Sequence, residues 1–183
     1  KPVYKLEDIK GLQLRSPGGV VTRVVKSWGG TPVSMPMSEA YIALEKGIVD
    51  GTLFPYDVMR LAKLGELTKY TTEGNFCTNP LFLVMNLHTY QSLPPDIKKI
   101  IDDTSYEWWV NAGKLNDRLE VVARKWMLDR GNEIIKLSPE ELKIWKQADT
   151  SVINKWASDL EAKGLPGRKF VDMALQCAKE YGK

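Results

Sequence analysis

The residue with the clearest chemical potential is Arg15, which ends the short apolar stretch LQLR and precedes Ser16, Pro17 and two glycines. A guanidinium is permanently charged, and its N–H donors form a rigid fork that matches a carboxylate in two parallel hydrogen bonds. Proline and glycine interrupt the pleat of a strand and let a ligand approach the backbone closely. The segment therefore predicts an arginine at a strand end, within reach of an anion.

Residues suited to catalysis or metal binding lack a supporting pattern. The only histidine, His88, follows an apparent strand with no nucleophile motif around it, so a serine or cysteine nucleophile has no obvious base. Cys77 and Cys177 lie far apart without metal-ligand spacing, and two buried thiols explain them better than a disulfide. The glycine pairs in SPGG and WGGT match neither the P-loop nor the dinucleotide fingerprint. We expect no catalytic residue, no metal and no cofactor.

Composition excludes two classes of partner. The chain has 26 Lys and Arg against 23 Asp and Glu, a net charge of +3, and because the basic residues are dispersed we expect no nucleic-acid binding. The longest apolar run, around residues 81–85, is far shorter than the roughly 20 residues of a membrane-spanning helix. The N-terminal residues lack the features of a secretory signal, so any export signal would have been removed or lies outside this sequence.

The elements that must position Arg15 follow an alternating pattern, which is typical of an α/β unit. Three short strands are predicted, in LQLR, TPVSMP and IVDGTLFP. Helices are predicted between them: one over residues 19–28, one over AYIALEK with Ser38 as N-cap and Gly47 as its end, and one over residues 56–64.

The second half of the chain is dominated by one long helical pattern. NFCTNPLFLVMN is extended in character but broken by Pro80, which favours a crossover between domains over a central strand. The long helix runs from Pro95 to a stop at Gly131, with a candidate bend at Gly113. EIIKL predicts a strand, SPEE a helix start with Ser138 as N-cap and Glu141 closing a capping box, and the tail after Pro166 a last helix. Core packing is predicted for most of the tryptophans: Trp28, Trp108, Trp126, Trp145 and Trp156.

Taken in order, LEDIKGLQLRSPG, GGTPVSMPMSEAYIALEKGIVDGTLFP and LPPDIKKIID resemble the solute-binding proteins of TRAP transporters, of the dicarboxylate-binding DctP type. The resemblance implies a receptor in the periplasm, not an enzyme, that captures an organic acid and delivers it to a sodium-coupled membrane permease. It also implies the type II periplasmic-binding-protein fold, with two α/β domains around a cleft.

Family chains extend well over 100 residues further toward the N-terminus, so the resemblance implies a C-terminal portion lacking most of the first domain. Residues 1–79 and 121–183 would form the second domain, as a mixed sheet flanked by helices. Residues 80–120 would return to the first domain, with the long helix bracing both. Surface exposed by the truncation could support a dimer.

The resemblance also gives Arg15 the role of principal carboxylate ligand. Two further contact positions fall at Met37 and Phe54, where the family commonly has an aromatic residue and an asparagine. A phenyl ring in place of an amide removes polar groups and adds apolar area, so we expect an acid with an apolar or aromatic body. Gly18, Ser38 and Asn79 are weaker candidates for polar contacts.

Two other classes of function remain open from the sequence. An α/β enzyme could anchor a small acid on Arg15 and use Asp50 or Glu39 in chemistry, although a turn aspartate and a helix-start glutamate explain those residues as well. A helical interaction module could use the apolar stripe of the long helix to bind a partner.

Overall fold

The computed structural model describes residues 1–76 and 82–181. The strands are β1 (Gln13–Ser16), β2 (Thr31–Ser34), β3 (Gly51–Thr52), β4 (Tyr70–Glu73) and β5 (Glu133–Lys136). The helices are α1 (Gly19–Ser27), α2 (Ala40–Glu45), α3 (Tyr56–Leu61), α4 (Leu87–Ser92), α5 (Pro95–Asp129), α6 (Pro139–Glu161) and α7 (Gly167–Tyr181). Short 3-10 turns lie at Leu6–Ile9, Met37–Glu39 and Leu64–Glu66.

The first sheet has the order β2-β1-β3, with both pairs parallel and Arg15 in register with Val33 and Thr52. Each strand reaches the next through a helix. The turn after α1 contains Gly29 and the turn after α2 contains Gly47, both with positive φ, which glycine adopts at little cost. Because the strands are parallel, their carboxyl ends lie at one edge of the sheet.

The second sheet pairs β4 with β5, also in parallel, from Tyr70 opposite Glu133 to Glu73 opposite Lys136. The strand β5 was predicted from EIIKL, whereas β4 was not predicted, because YTTE carries little apolar signal and its partner is remote in the chain. The α/β class is confirmed. A mixed sheet was expected, whereas the strand pairs of the described residues are parallel, since helices rather than hairpins connect them.

One hydrophobic cluster fastens α6 against the first sheet and α1. Trp28 and Trp145 are 3% and 2% exposed, and their ring centroids lie 4.8 Å apart in an edge-to-face contact. Phe76 stacks on Trp145 at 4.6 Å, and the Trp28 Nε1 donates to Asp149 Oδ1 at 2.8 Å. These two tryptophans confirm the core prediction.

A second cluster holds the carboxyl-terminal part of α5 against α3. Tyr56 and Met59 of α3 and Ala123 and Met127 of α5 are buried there. Along its amino-terminal part α5 is mostly exposed, and it continues through Gly113 without interruption.

Trp108 is 63% exposed, so its assignment to the core is wrong within the described residues, because no described element covers that stretch of α5. Trp126 and Trp156 are half-buried, and each therefore confirms the predicted packing only in part.

The two predicted N-caps, Ser38 and Ser138, differ in how they agree with the structure. Ser38 lies in the 3-10 turn, and α2 begins after Glu39 instead. Ser138 does cap α6, accepting from the Glu141 N–H at 3.2 Å, but the Glu141 carboxylate accepts from the Leu6 N–H rather than closing a capping box.

His88 lies in α4, and the described residues just before that helix, 82–86, form no regular strand. Cys177 is exposed, so the prediction of a buried thiol is wrong there; α7 lies against α6 at its start, where Gly167 is close to the Ala157 backbone. Cys77, Asn79 and Pro80 lie outside the described residues. Within the described ranges, no helix is long and apolar enough to span a membrane.

Candidate ligand-binding site

The candidate site lies at the carboxyl edge of the first sheet. Pro17 to Gly19 follow β1, Met35 to Met37 follow β2, and Leu53 and Phe54 follow β3. In open α/β sheets, ligands bind in the crevice outside the carboxyl ends of the strands. The order of the sheet puts β1, and therefore Arg15, in the middle of that edge.

Arg15 is 3% exposed, and its Nε donates to the backbone carbonyl of Met35 at 3.1 Å. Among the described residues, no carboxylate lies within ion-pair distance of it. Burial lowers the pKa of the Arg15 guanidinium, which nevertheless keeps its charge. Buried charges in proteins are ordinarily paired, but no carboxylate of the described residues pairs with this buried guanidinium.

Phe54 supplies the apolar side of the site. The centroid of its ring lies 4.6 Å from the Arg15 Cζ, close enough for a cation–π contact with the ring face. The ring is half-buried and packs against the α3–α5 cluster. Charge and apolar surface thus meet at one place, as they would have to for an acid with an apolar body.

The loop after β1 is shaped by Gly18, whose φ of +97° disfavours any residue with a side chain. Its N–H donates to Ser16 Oγ at 3.3 Å, and that oxygen also shares a hydrogen bond with Thr22 Oγ1 at 2.7 Å. Ser16 is wholly buried. The loop is therefore held by its own polar groups at the start of α1, beside Arg15.

The sequence-predicted residues separate into groups. Arg15, Gly18 and Phe54 lie together at the sheet edge. Met37 is 44% exposed and Ser38 is exposed in the turn after β2, so they reach the same edge only at its rim. Asn79 lies outside the described residues.

The residues suggested for an enzyme are not brought to Arg15. Asp50 precedes β3, and its carboxylate accepts from the N–H of Gln13, the first residue of β1, at 2.7 Å. It therefore lies at the amino edge of the sheet, opposite the candidate site. Glu39 is an exposed residue at the start of α2.

Sequence reasoning missed two contributors to this edge. Met35 acts through its carbonyl, which any residue supplies, so its type carries no signal. Thr52 places a buried hydroxyl in the strand beside Arg15, with no hydrogen-bond partner in the part of the chain that the structure describes, and only the register identifies it. Within residues 1–76 and 82–181, no group of His, Cys, Asp or Glu is placed to hold a metal.

The family model of the bacterial extracellular solute-binding proteins, family 7 (DctP), matches residues 1–159, and the chain belongs to this family. The resemblance predicted from the motifs is thus confirmed. The family is one of solute-binding receptors rather than enzymes, and its characterised relatives are periplasmic, as predicted.

Similar proteins bind organic acids. The C4-dicarboxylate-binding periplasmic protein DctP of Rhodobacter capsulatus is 27% identical over 92% of this chain and 51% of its own length. A marine-metagenome TRAP solute-binding protein specific for aromatic acid ligands, in complex with metahydroxyphenylacetate, is 33% identical with a TM-score of 0.86, over 100% of this chain and 59% of that one. A Rhodoferax ferrireducens TRAP solute-binding protein with copurified benzoate is 29% identical with a TM-score of 0.86, over 100% and 58%.

The type II periplasmic-binding-protein fold is confirmed by these structures. The chain spans about half the length of the curated relatives it matches.

Proposed function

We propose that this chain forms one wall of the ligand site of a TRAP receptor and that Arg15 binds the carboxylate of an organic acid there. The observation that carries the proposal is the buried guanidinium at the sheet edge with no carboxylate in ion-pair distance among the described residues. A carboxylate ligand would supply the missing charge through charge-assisted hydrogen bonds, which are stronger than neutral ones.

The preferred ligand is an aromatic monocarboxylate. The Phe54 ring stands against the guanidinium, so an acid bound to Arg15 would place its body beside an apolar face. Benzoate and metahydroxyphenylacetate, which occupy the two similar structures, have this shape. A sugar acid would instead place its hydroxyl groups against the ring. Those hydroxyl groups would lose their hydrogen bonds to water and gain none from the ring.

The relatives are about twice as long as the region that this chain matches. In our proposal, that additional length supplies the second wall of the cleft. We assign residues 1–79 and 121–183 to the second domain and residues 80–120 to the first. Two facts support this division: the amino-terminal part of α5 is mostly exposed, and so are Phe82, Leu83, Val84 and Met85 before it. Chain absent from this sequence would cover that apolar surface, and without it the surface would favour association into dimers.

Closure of the two domains over the ligand would exclude water and strengthen the ion pair to Arg15. The liganded receptor would then deliver the acid to the sodium-coupled permease. In this scheme Met37, at the rim, packs on the ligand, while Gly18, Ser38 and Asn79 contribute polar contacts.

The proposal is tested by titration calorimetry on a receptor of its relatives' full length that contains this chain. Benzoate, metahydroxyphenylacetate, succinate and galacturonate serve as probes. We expect the aromatic acids to bind tightest and Arg15→Ala to weaken them at least about 30-fold, the cost of losing one partner of a desolvated ion pair.

Arg23→Ala is the matched control, because it removes the same charge from an exposed pair with Asp159 and should leave affinity unchanged. Equal affinity in wild type and Arg15→Ala would overturn the proposal.

A further inference from the structure

A polar junction lies next to the candidate site, at the start of the helix that follows Phe54. The Glu73 Oε1 accepts two hydrogen bonds, from the Tyr56 hydroxyl at 2.8 Å and from the Arg124 Nε at 2.7 Å. Tyr56 begins α3, Glu73 ends β4 and Arg124 lies in α5. One carboxylate oxygen therefore ties together three elements that are separate in the chain.

The junction is connected to the site through a stiff link. Tyr56 follows Phe54 with only Pro55 between them, and the proline ring fixes one backbone dihedral of that link. Tyr56 is 8% exposed, so its ring cannot move without disturbing the core. The position of the Tyr56 hydroxyl thus constrains where the Phe54 ring lies relative to Arg15.

The protonation states of Tyr56 and Glu73 favour these hydrogen bonds. Burial and the hydrogen bond to Glu73 raise the pKa of Tyr56, which keeps the phenol a neutral donor. Burial acts to raise the pKa of Glu73, but the hydrogen bonds from Arg124 and Tyr56 outweigh it and leave that pKa lowered. At neutral pH the junction is one ionised acceptor with two donors aimed at it.

We propose that Tyr56, Glu73 and Arg124 are positioning residues that hold the Phe54 ring against Arg15 and so set the preference of the site for a planar acid. This inference rests on the proposed function and deepens it. None of the three residues needs to touch the ligand, since each acts through the link at Pro55.

The test compares Tyr56→Phe, which removes only the hydroxyl, and Glu73→Gln with the matched control Thr72→Val in the full-length receptor. Thr72 lies in the same strand, but its hydroxyl donates to the Val3 carbonyl at 2.7 Å, away from the junction. We expect the ratio of benzoate to succinate affinity to fall about tenfold in both junction variants and to stay at the wild-type value in Thr72→Val.

A purely structural effect of the variants would weaken both acids together and leave the ratio unchanged, which would overturn the inference. A double-mutant cycle adds a second condition. In a Phe54→Leu background, Tyr56→Phe should have no further effect on the ratio, because the ring that the junction holds is already gone. A further loss there would also contradict the inference.

A measurement without ligand separates this inference from the proposed function. The ¹H–¹⁵N signal of the Arg15 Nε–H, identified by its loss in Arg15→Lys, reports on the nearby Phe54 ring. It should shift in Tyr56→Phe and Glu73→Gln but not in Thr72→Val. If the wild type binds no acid yet the signal shifts, the proposed function fails and the positioning role stands. If the signal does not shift, the inference is wrong whatever the protein binds.

Discussion

The Arg15 Cζ lies 4.6 Å from the centroid of the Phe54 ring, and the same side chain donates from Nε to the Met35 carbonyl. These two partners orient the guanidinium without neutralising it. An aromatic face and a backbone carbonyl carry no net charge, so neither of these two partners neutralises the buried guanidinium, and no carboxylate in residues 1–76 and 82–181 pairs with it. The consequences can be measured on the protein with and without ligand.

Replacing Arg15 with methionine should stabilise the unliganded protein while abolishing acid binding. An apolar chain of similar length keeps the packing and removes the desolvation penalty of an unpaired charge, a gain of about 1 kcal/mol in the free energy of unfolding. Urea denaturation of wild type and Arg15→Met, without ligand, measures it.

Arg124→Met is the control for that change. Arg124 is paired with Glu73, so its loss should lower the stability of the protein rather than raise it. If Arg15→Met lowered the free energy of unfolding as much as Arg124→Met does, the Arg15 charge would already be compensated in the absence of ligand.

Phe54→Asn should shift the ligand preference from aromatic toward hydroxylated acids. The substitution removes the apolar face and the cation–π contact, and it introduces an amide that can donate to and accept from ligand hydroxyl groups. We expect benzoate affinity to fall roughly 10- to 100-fold, the value of about 1.5–3 kcal/mol for an aromatic side chain withdrawn from an apolar contact. Galacturonate affinity should stay constant or rise.

Phe54→Leu separates the two contributions of the ring. It keeps most of the apolar area without the aromatic face, and should therefore fall between the wild type and Phe54→Asn for benzoate. The same calorimetric titrations compare wild type, Phe54→Asn and Phe54→Leu. Unchanged selectivity in Phe54→Asn would mean that Phe54 does not contribute to the site.

Asp149 and Asp159, both on α6, should give opposite pH dependences of stability. Burial raises the pKa of Asp149 despite hydrogen bonds from Trp28 and Ser27. The folded protein thus binds that proton more tightly than the unfolded chain does. The stability of wild type relative to Asp149→Asn should rise as pH falls through the raised pKa toward the ordinary value of 3.8.

The hydrogen bond from Lys155 lowers the pKa of Asp159, burial acts to raise it, and the hydrogen bond from Arg23 lowers it further, so that the pKa is lowered on balance. Its contribution is present above the unfolded pKa and is lost as pH falls through the folded one. Urea denaturation of wild type, Asp149→Asn and Asp159→Asn across acid pH checks both signs. Parallel pH trends for the two variants would contradict the assignment.

Two glycine substitutions should act in opposite directions. A Cβ at Gly167 would collide with the backbone of Ala157, where α7 starts against α6, so Gly167→Ala should destabilise the protein by about 1–3 kcal/mol. A Cβ at Gly113, in the exposed part of α5, meets nothing within 4 Å. Gly113→Ala should stabilise by about 0.5–1 kcal/mol, and thermal denaturation of both variants tests the pair.

The sequence predicted those parts of the fold that carry local signals. The helix α5 follows from its proline start and apolar spacing, and β1 from an apolar run between turn residues. In contrast, β4 pairs with β5, whose residues are some 60 positions away in the chain. Tyrosine and threonine favour strands, but YTTE lacks the alternating apolar pattern that would have identified it. The exposure of Trp108 could not be predicted either, because helical spacing defines a face of α5 but not whether anything packs on it.

The residues of the candidate site likewise include some that the sequence could predict and some that it could not. Arg15 and Phe54 could be proposed from residue type and from the family motifs, since the role proposed for each belongs to its side chain. Met35 could not, because it acts through its carbonyl and depends on the register of β1 with β2. The junction of Tyr56, Glu73 and Arg124 depends on how three remote segments fold together, which no spacing in the sequence encodes.

The length of α5 turns small rotations into large displacements. The helix is packed against the rest of the protein near its carboxyl-terminal end, where Ala123 and Met127 are buried. From Ala123 back to Pro95 it extends about 42 Å at 1.5 Å per residue. A tilt of about 10° at the packed end would sweep the far end through about 7 Å by that length. Arg124, one of the two donors to Glu73, lies in the buried part of the helix, so any change of tilt at the Tyr56–Glu73–Arg124 junction would be amplified along α5 toward Pro95.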